Sequence, residues 1–327
     1  MLTPVLAFRP ARVVERLAAR SAACPLSSKD LLRVAATLRL TLPLVRATTP
    51  GVARAALVAA KQVGSVLGLS LPPGLAPEGW FAAVTEAADE VAAGLPIFLA
   101  GEVAVAGRRE AEVEAAFTAA WRLADAGLTH LTIDLSAVPA DGRAEVLERV
   151  AAPALERGLG LDCLVGGGAG GLGEAGPLFA ALARRDAAPD LASLRCEAPE
   201  DVAEAHSQVK DLLALCAALA GTPVLRRGPV TSALLGSLKG SPVAGCEDGG
   251  AAADAGVALI PLDPEASADR GPAELSRAEA ALSEGLRSRV ETRAYLEVLD
   301  FLERLGTGGS AQQITRALER TLAEPGA

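Results

Sequence analysis

The stretch Leu95–Gly107, LPIFLAGEVAVAG, decides the fold. It reads as an apolar strand that ends on an acid, Glu102, with a helical segment on either side. The same strand-then-helix unit recurs along the chain. The apolar runs fall at Pro43–Ala47, Ser65–Leu71, Leu95–Val103, Leu128–Val138, Leu159–Val165, Leu191–Glu197, Pro223–Arg227 and Val257–Asp263. Helix-patterned segments lie between them, opened by signals such as Thr48-Thr49-Pro50 and Asp141. The strands read as continuous apolar runs, as expected when both faces are covered. Eight such units predict a closed (β/α)8 TIM barrel, with an open doubly wound sheet as the alternative. The expected organisation is a helical segment over 1–41, the barrel over 42–270, and C-terminal helices over 271–327 packed on the barrel or forming a dimer contact. Ser27-Ser28-Lys29-Asp30 reads as a capping signal for the helix that follows it.

Composition narrows the function classes. The chain has 327 residues, half of them hydrophobic and only 3% aromatic, so a sizeable core must pack through small side chains. The net charge of −9, with no basic run, argues against nucleic acid as a partner. No apolar stretch reaches membrane-spanning length. The first 20 residues lack the pattern of a signal peptide, so the expected location is cytoplasmic. Five scattered cysteines without a CxxC motif read as reduced thiols.

In such a barrel the chemistry sits at the carboxyl ends of the strands. Those ends carry Arg46 with Thr48, Ser70, Glu102, Asp134 with Ser136, Asp162 with Cys163, Arg195 with Glu197, Arg226 with Arg227, and Asp263. Glu102, Asp134 and Glu197 are the candidates for acid/base work. Arg46, Ser136, Arg195 and Arg227 are the candidates for holding an anionic substrate. The same set also reads as a structural ring of ion pairs. Arg226 and Arg227 alternate across a strand, so one faces the barrel centre and the other is expected to pair with a surface acid. The loop Gly166–Gly176 contains GxGxxG twice, and Gly168 and Gly170 could present backbone N–H groups to a phosphate. His130 and His206 lie away from strand ends, and the four lysines sit on helices or at their ends. Neither a histidine- or cysteine-held metal nor a Schiff base is therefore indicated; a hard-cation site of carboxylates such as Glu102, Asp134 and Glu197 stays open as an alternative, and no cofactor is expected.

Several segments resemble the class II ketose-bisphosphate aldolases, a family that includes fructose- and tagatose-bisphosphate aldolases and a non-catalytic partner subunit. They are PLVRATTPGVARAALVAAKQVGSVLGLSL (43–71), IFLAGEV, LADAGLTHLTIDLSAVP (123–139), LDCLVGGGAGG, PVLRRG and FLERLGTGGSAQ. The resemblance implies a (β/α)8 barrel, and in the family a zinc held mainly by histidines polarises the substrate. Carried over residue by residue, Glu102 stands where the catalytic Asp would be, and Val103 replaces the zinc-binding His after it. Leu164 falls near a metal-site Glu, Cys196 or Glu197 near the next His, and Arg227 replaces the last His. The phosphate-binding Asn-x-Thr segment falls on IPLDP, residues 260–264. Asp134 and Ser136 are the best-kept positions. The resemblance thus implies a degenerate, non-catalytic member acting as an accessory, partner-binding or metabolite-binding subunit. The alternative is a metal-independent lyase or isomerase on an anionic sugar-like substrate. The partners to expect are another copy of the chain or a related catalytic subunit, and a phosphorylated or otherwise anionic small molecule.

Overall fold

The structure is a computed structural model that describes residues 4–165, 168–184, 189–219, 221–259 and 272–323. Eight parallel strands close into a barrel. They are β1 (Leu42–Arg46), β2 (Leu67–Ser70), β3 (Pro96–Ala104), β4 (His130–Asp134), β5 (Gly160–Val165), β6 (Leu191–Arg195), β7 (Val224–Arg227) and β8 (Gly245–Glu247). Each pairs with its neighbours in sequence, and closure is made where β8 pairs with β1 through Leu44↔Glu247. No open edge remains in the ring, so the doubly wound alternative is excluded.

Strand alternation divides the barrel's side chains into two sets. Val45, Leu69, Ile97, Leu99, Leu131, Ile133, Leu161 and Cys246 point outward into one large core beneath the helices. The inward set builds a second core at the amino end, with Leu42, Leu44, Phe98, Leu191 and Leu225 packed around Leu31 and Leu32. These two leucines come from the helix Ser28–Leu38, which plugs the bottom of the barrel. The close approach needs small residues: a Cβ on Gly68 would lie 2.2 Å from the Phe98 ring, and one on Gly160 would lie 2.0 Å from Ser28 Oγ. A two-residue strand, Cys24–Pro25, extends the sheet beside β3 below β4. Among the described residues, no helix is long and apolar enough to cross a membrane.

Several local expectations are corrected. The eighth strand is Gly245–Glu247. Ala251–Val257 is helical, so the predicted strand cannot start at Val257, and Ile260–Asp263 lie outside the described residues. The expected loop after β5 is largely a helix, Gly168–Ala183; Gly166 and Gly167 lie outside the described residues. The stretch 273–305, whose pattern reads as one long helix, is two, Pro272–Ala280 and Glu284–Leu305, followed by Ser310–Ala323. Ser27 makes no side-chain cap; the neighbouring Ser28 hydroxyl instead meets His130 Nδ1 at 2.8 Å. Asp141 pairs with Arg108 at 3.2 Å and does not cap the helix Arg143–Arg157. The Glu279 carboxylate, from the helix Pro272–Ala280, accepts from Thr49 Oγ1 at 2.7 Å and from Gly51 N at 3.0 Å. This ties the C-terminal helices to the first turn of the helix after β1.

Candidate functional site

The inward positions change character along the barrel axis. The leucine floor gives way near the carboxyl ends to Arg46, Ser70, Glu102, Asp134, Arg195, Arg227 and Glu247. Each but Glu102, which Ala104 follows on the same face, is the last inward residue of its strand, so the alternation converges them on one mouth.

Arg227 is the central cation. Its Nη1 lies 3.3 Å from Glu102 Oε2, and its Nη2 lies 3.4 Å from Asp162 Oδ2. Nη2 also donates to Thr132 Oγ1, and Nε donates to Ser193 Oγ at 3.3 Å. Burial works against the charge, but Glu247, Asp162 and Glu102 outweigh it and hold the guanidinium above its ordinary pKa. Below it, Asp162 is fully buried and accepts from Thr132 Oγ1 at 3.1 Å and from Ser193. Burial opposes its ionisation, yet His130, Arg227 and Ser193 together keep the carboxyl below its usual range. His130 is also fully buried; burial pushes it down, so it stays neutral between Ser28 and Thr132. A continuous polar column therefore runs from the bottom plug to the mouth: Ser28, His130, Thr132 with Asp162, Ser193 with Arg227, then Glu102.

Arg195 closes the far side of the mouth. Its Nη2 is 3.1 Å from Glu102 Oε1 and its Nη1 is 3.2 Å from Asp134 Oδ2. Glu102 is thus held by two arginines. On the near side, Arg46 Nη2 sits 3.5 Å from Glu247 Oε1. Between these groups opens a cavity of about 440 Å³, lined by Arg46, Ser70, Glu102, Arg122, Arg227 and Glu247, with an apolar wall from Leu71 to Pro77.

The structure brings Arg46, Glu102 and Arg227 to this cavity, with Arg195 and Asp134 beside Glu102. Ser136 is exposed, and its backbone N–H donates to Asp134 Oδ1 at 2.9 Å, a local turn. Glu197 is not part of the mouth: it lines a different cavity with Cys196, Glu204, Gln208 and Asp211. Gly168 and Gly170 fall in the first turn of the helix after β5, not in a loop. Arg226 is buried, and among the described residues no acid pairs with it; its Nη2 donates to Glu197 O at 3.3 Å, and the guanidinium also binds the carbonyls of Gly228 and Pro229. Burial of the opposite strand face left backbone carbonyls, not surface acids, as its partners.

Sequence reasoning missed Glu247 and Asp248, because they sit in a Gly/Ala-rich piece with no strand-like run. It also missed Thr132 and Ser193 as the seat of Arg227. The signal that could have found these two was inward parity, since each lies two residues before a mouth residue.

The zinc implied by the family resemblance does not suit the residues present. Val103 points outward into the core, Leu164 is a buried hydrophobe, and Arg227 supplies a guanidinium where a ligand would be needed. Cys196 is buried, and burial pushes its thiol pKa up, away from the thiolate a metal requires. Among the described residues, no three His, Cys, Asp or Glu side chains are grouped to hold a metal. No step is assigned to zinc.

No family model matches the chain, and no curated protein matches it. Solved structures do. The YdjI aldolase from Escherichia coli K12 superposes with a TM-score of 0.61 at 11% identity, covering 86% of this chain and 98% of that one. A candidate fructose-1,6-biphosphate aldolase from Coccidioides immitis superposes with a TM-score of 0.59 at 15% identity, covering 88% and 98%. The likeness is one of fold: the chain shares the (β/α)8 barrel of these two structures.

Proposed function

We propose that this chain is a non-catalytic aldolase-like barrel that binds a small metabolite at its mouth, in the manner of an accessory or sensing subunit. One observation carries the reading. Glu102, the acid at the position expected for proton transfer, is gripped by Arg195 and Arg227 at 3.1 and 3.3 Å. A general base must accept a proton near neutral pH. Both carboxylate oxygens already face a guanidinium, Oε1 that of Arg195 and Oε2 that of Arg227, so neither is free to take a proton from a ligand. The cavity beside it stays open and lined by polar groups that can hold a ligand.

A metal-independent lyase or isomerase is the second reading. It is favoured by Glu102 and Arg227 lining one cavity, as base and electrophile would. Purified protein and Glu102→Gln, incubated with a panel of ketoses and ketose phosphates, separate the two. Binding without carbon–carbon cleavage or isomerisation by either protein supports the first. Turnover by the native chain that vanishes in Glu102→Gln overturns it. A partner, whether a second copy or a related catalytic subunit, would appear as a larger species in light scattering.

A further inference from the structure

We infer that the ligand of the mouth is an unphosphorylated polyhydroxylated carbon chain, a sugar or polyol; this rests on the binding reading above. The first argument is charge. Among the described residues, four acids of the mouth already have a guanidinium: Glu102 with Arg195 and Arg227, Asp134 with Arg195, Asp162 with Arg227, and Glu247 with Arg46. Among the described residues, four arginines (46, 122, 195 and 227) face these four carboxylates and Asp248 adds a fifth, so no net positive charge is left over. A phosphate monoester brings roughly −1.5 to −2 charges. Arg122, exposed on the lining, stands outside these pairs, and one guanidinium does not match that charge; the rest could be met only by stripping an arginine from its carboxylate, and Asp162 is fully buried.

The second argument is a filled anion cradle. Barrels of this class bind phosphate with the loops after the last two strands and the start of a short helix. Here the helix after β8 has its first N–H groups taken by the chain's own Asp248. Its carboxylate accepts from Gly250 N at 2.9 Å and Ala252 N at 3.2 Å, and from Arg46 N at 3.4 Å. Asp248 is itself buried, so the donors that would meet a phosphate are spent.

The third argument is what the cavity does offer. A hydroxyl both donates and accepts. Glu102 beside Arg227, and Glu247 beside Arg46, each set an acceptor next to a donor on the cavity lining, with Ser70 among them. Arg227, 4% exposed at its side chain, is held in aim by Thr132, Ser193 and Asp162. The Leu71–Pro77 wall gives the C–H face of a sugar an apolar surface. The volume of about 440 Å³ lies within the roughly 300–1,000 Å³ typical of small-molecule sites.

The test is calorimetric titration of the full chain with D-fructose, D-glucitol, fructose 1,6-bisphosphate and inorganic phosphate. The expected result is binding of fructose or glucitol, at least about tenfold tighter than either phosphate probe, and weakened about tenfold by Glu247→Gln. Glu102→Gln, at a half-exposed position, gives the same loss and covers the case in which the Glu247 variant does not fold. Asp248→Ala frees the cradle and should raise phosphate affinity. Tighter binding of the bisphosphate than of the sugars by the native chain overturns this inference and leaves the binding reading standing. Binding of no probe overturns both, and cleavage of a bound sugar overturns only the non-catalytic reading.

Discussion

The Arg227 guanidinium lies 3.4 Å from the Asp162 carboxylate, and both side chains are withdrawn from solvent, at 4% and 0% exposure. Neither could be carried alone in the middle of the barrel, because a buried charge without its partner is costly. Arg227→Met leaves Asp162 and Glu102 without their shared cation. The expected loss is about 3–5 kcal/mol, read as a drop in the urea midpoint with little change in slope.

Arg195 should behave differently, although it also bridges two acids. Its side chain is 46% exposed, so water screens the pairs. Arg195→Ala is expected to cost no more than about 1 kcal/mol. A loss as large as that of Arg227→Met would show that the bridge to Asp134 is a principal support of the barrel.

His130 predicts how the fold responds to acid. Burial holds it below its ordinary value of 6.5, so the folded chain resists a proton that the unfolded chain accepts. Stability should therefore fall as pH drops below 6.5, by at most about 1.4 kcal/mol per unit from this group. Urea unfolding at pH 7.5 and 5.5 checks it; His130→Gln should flatten that part of the profile.

Asp248 works in the opposite sense. Burial first, then the Glu247 charge, push its carboxyl up from 3.8 to about 6, against the hydrogen bonds it accepts. Its contribution is fully present below 3.8 and is lost as pH rises through about 6. Asp248→Asn should therefore lose more stability than the native chain between pH 6 and pH 4. The difference is of order 2–3 kcal/mol.

The floor of the barrel can be tested without touching a charge. A methyl at position 160 would meet Ser28 Oγ at 2.0 Å and Lys29 N at 2.8 Å. Gly160→Ala is expected to cost about 1–3 kcal/mol through overpacking. Gly236→Ala is the control: its Cβ meets nothing within 4 Å in the interior of the helix Ser232–Leu238, and it should gain roughly 0.5–1 kcal/mol. Thermal melts of both variants decide the point.

The barrel was legible where strands were long and apolar. LPIFLAGEV and LTHLTIDLSAV declare themselves because both faces of a parallel strand are buried. β8 was hidden because it is three residues long and starts on Gly245, where a side chain would strike Leu225 at 2.7 Å. The more apolar VALIPLD therefore drew the assignment. Glu102 and Arg227 could be named as mouth residues from strand ends. Their pairing could not, since Glu102, Arg195 and Arg227 lie on strands brought together only by closure. Glu197 was misplaced because β6 ends at Arg195, so an acid two residues further on has left the barrel.

The helix Ser28–Leu38 makes the barrel a room with one door. Ser28 is fastened to His130, and Leu31 and Leu32 fill the floor, so no passage runs through the long axis. A molecule resting against Arg227 must depart by the rim through which it arrived. Any larger body seated on that rim would lock it in, and occupancy of the chamber would then report on what the rim is touching.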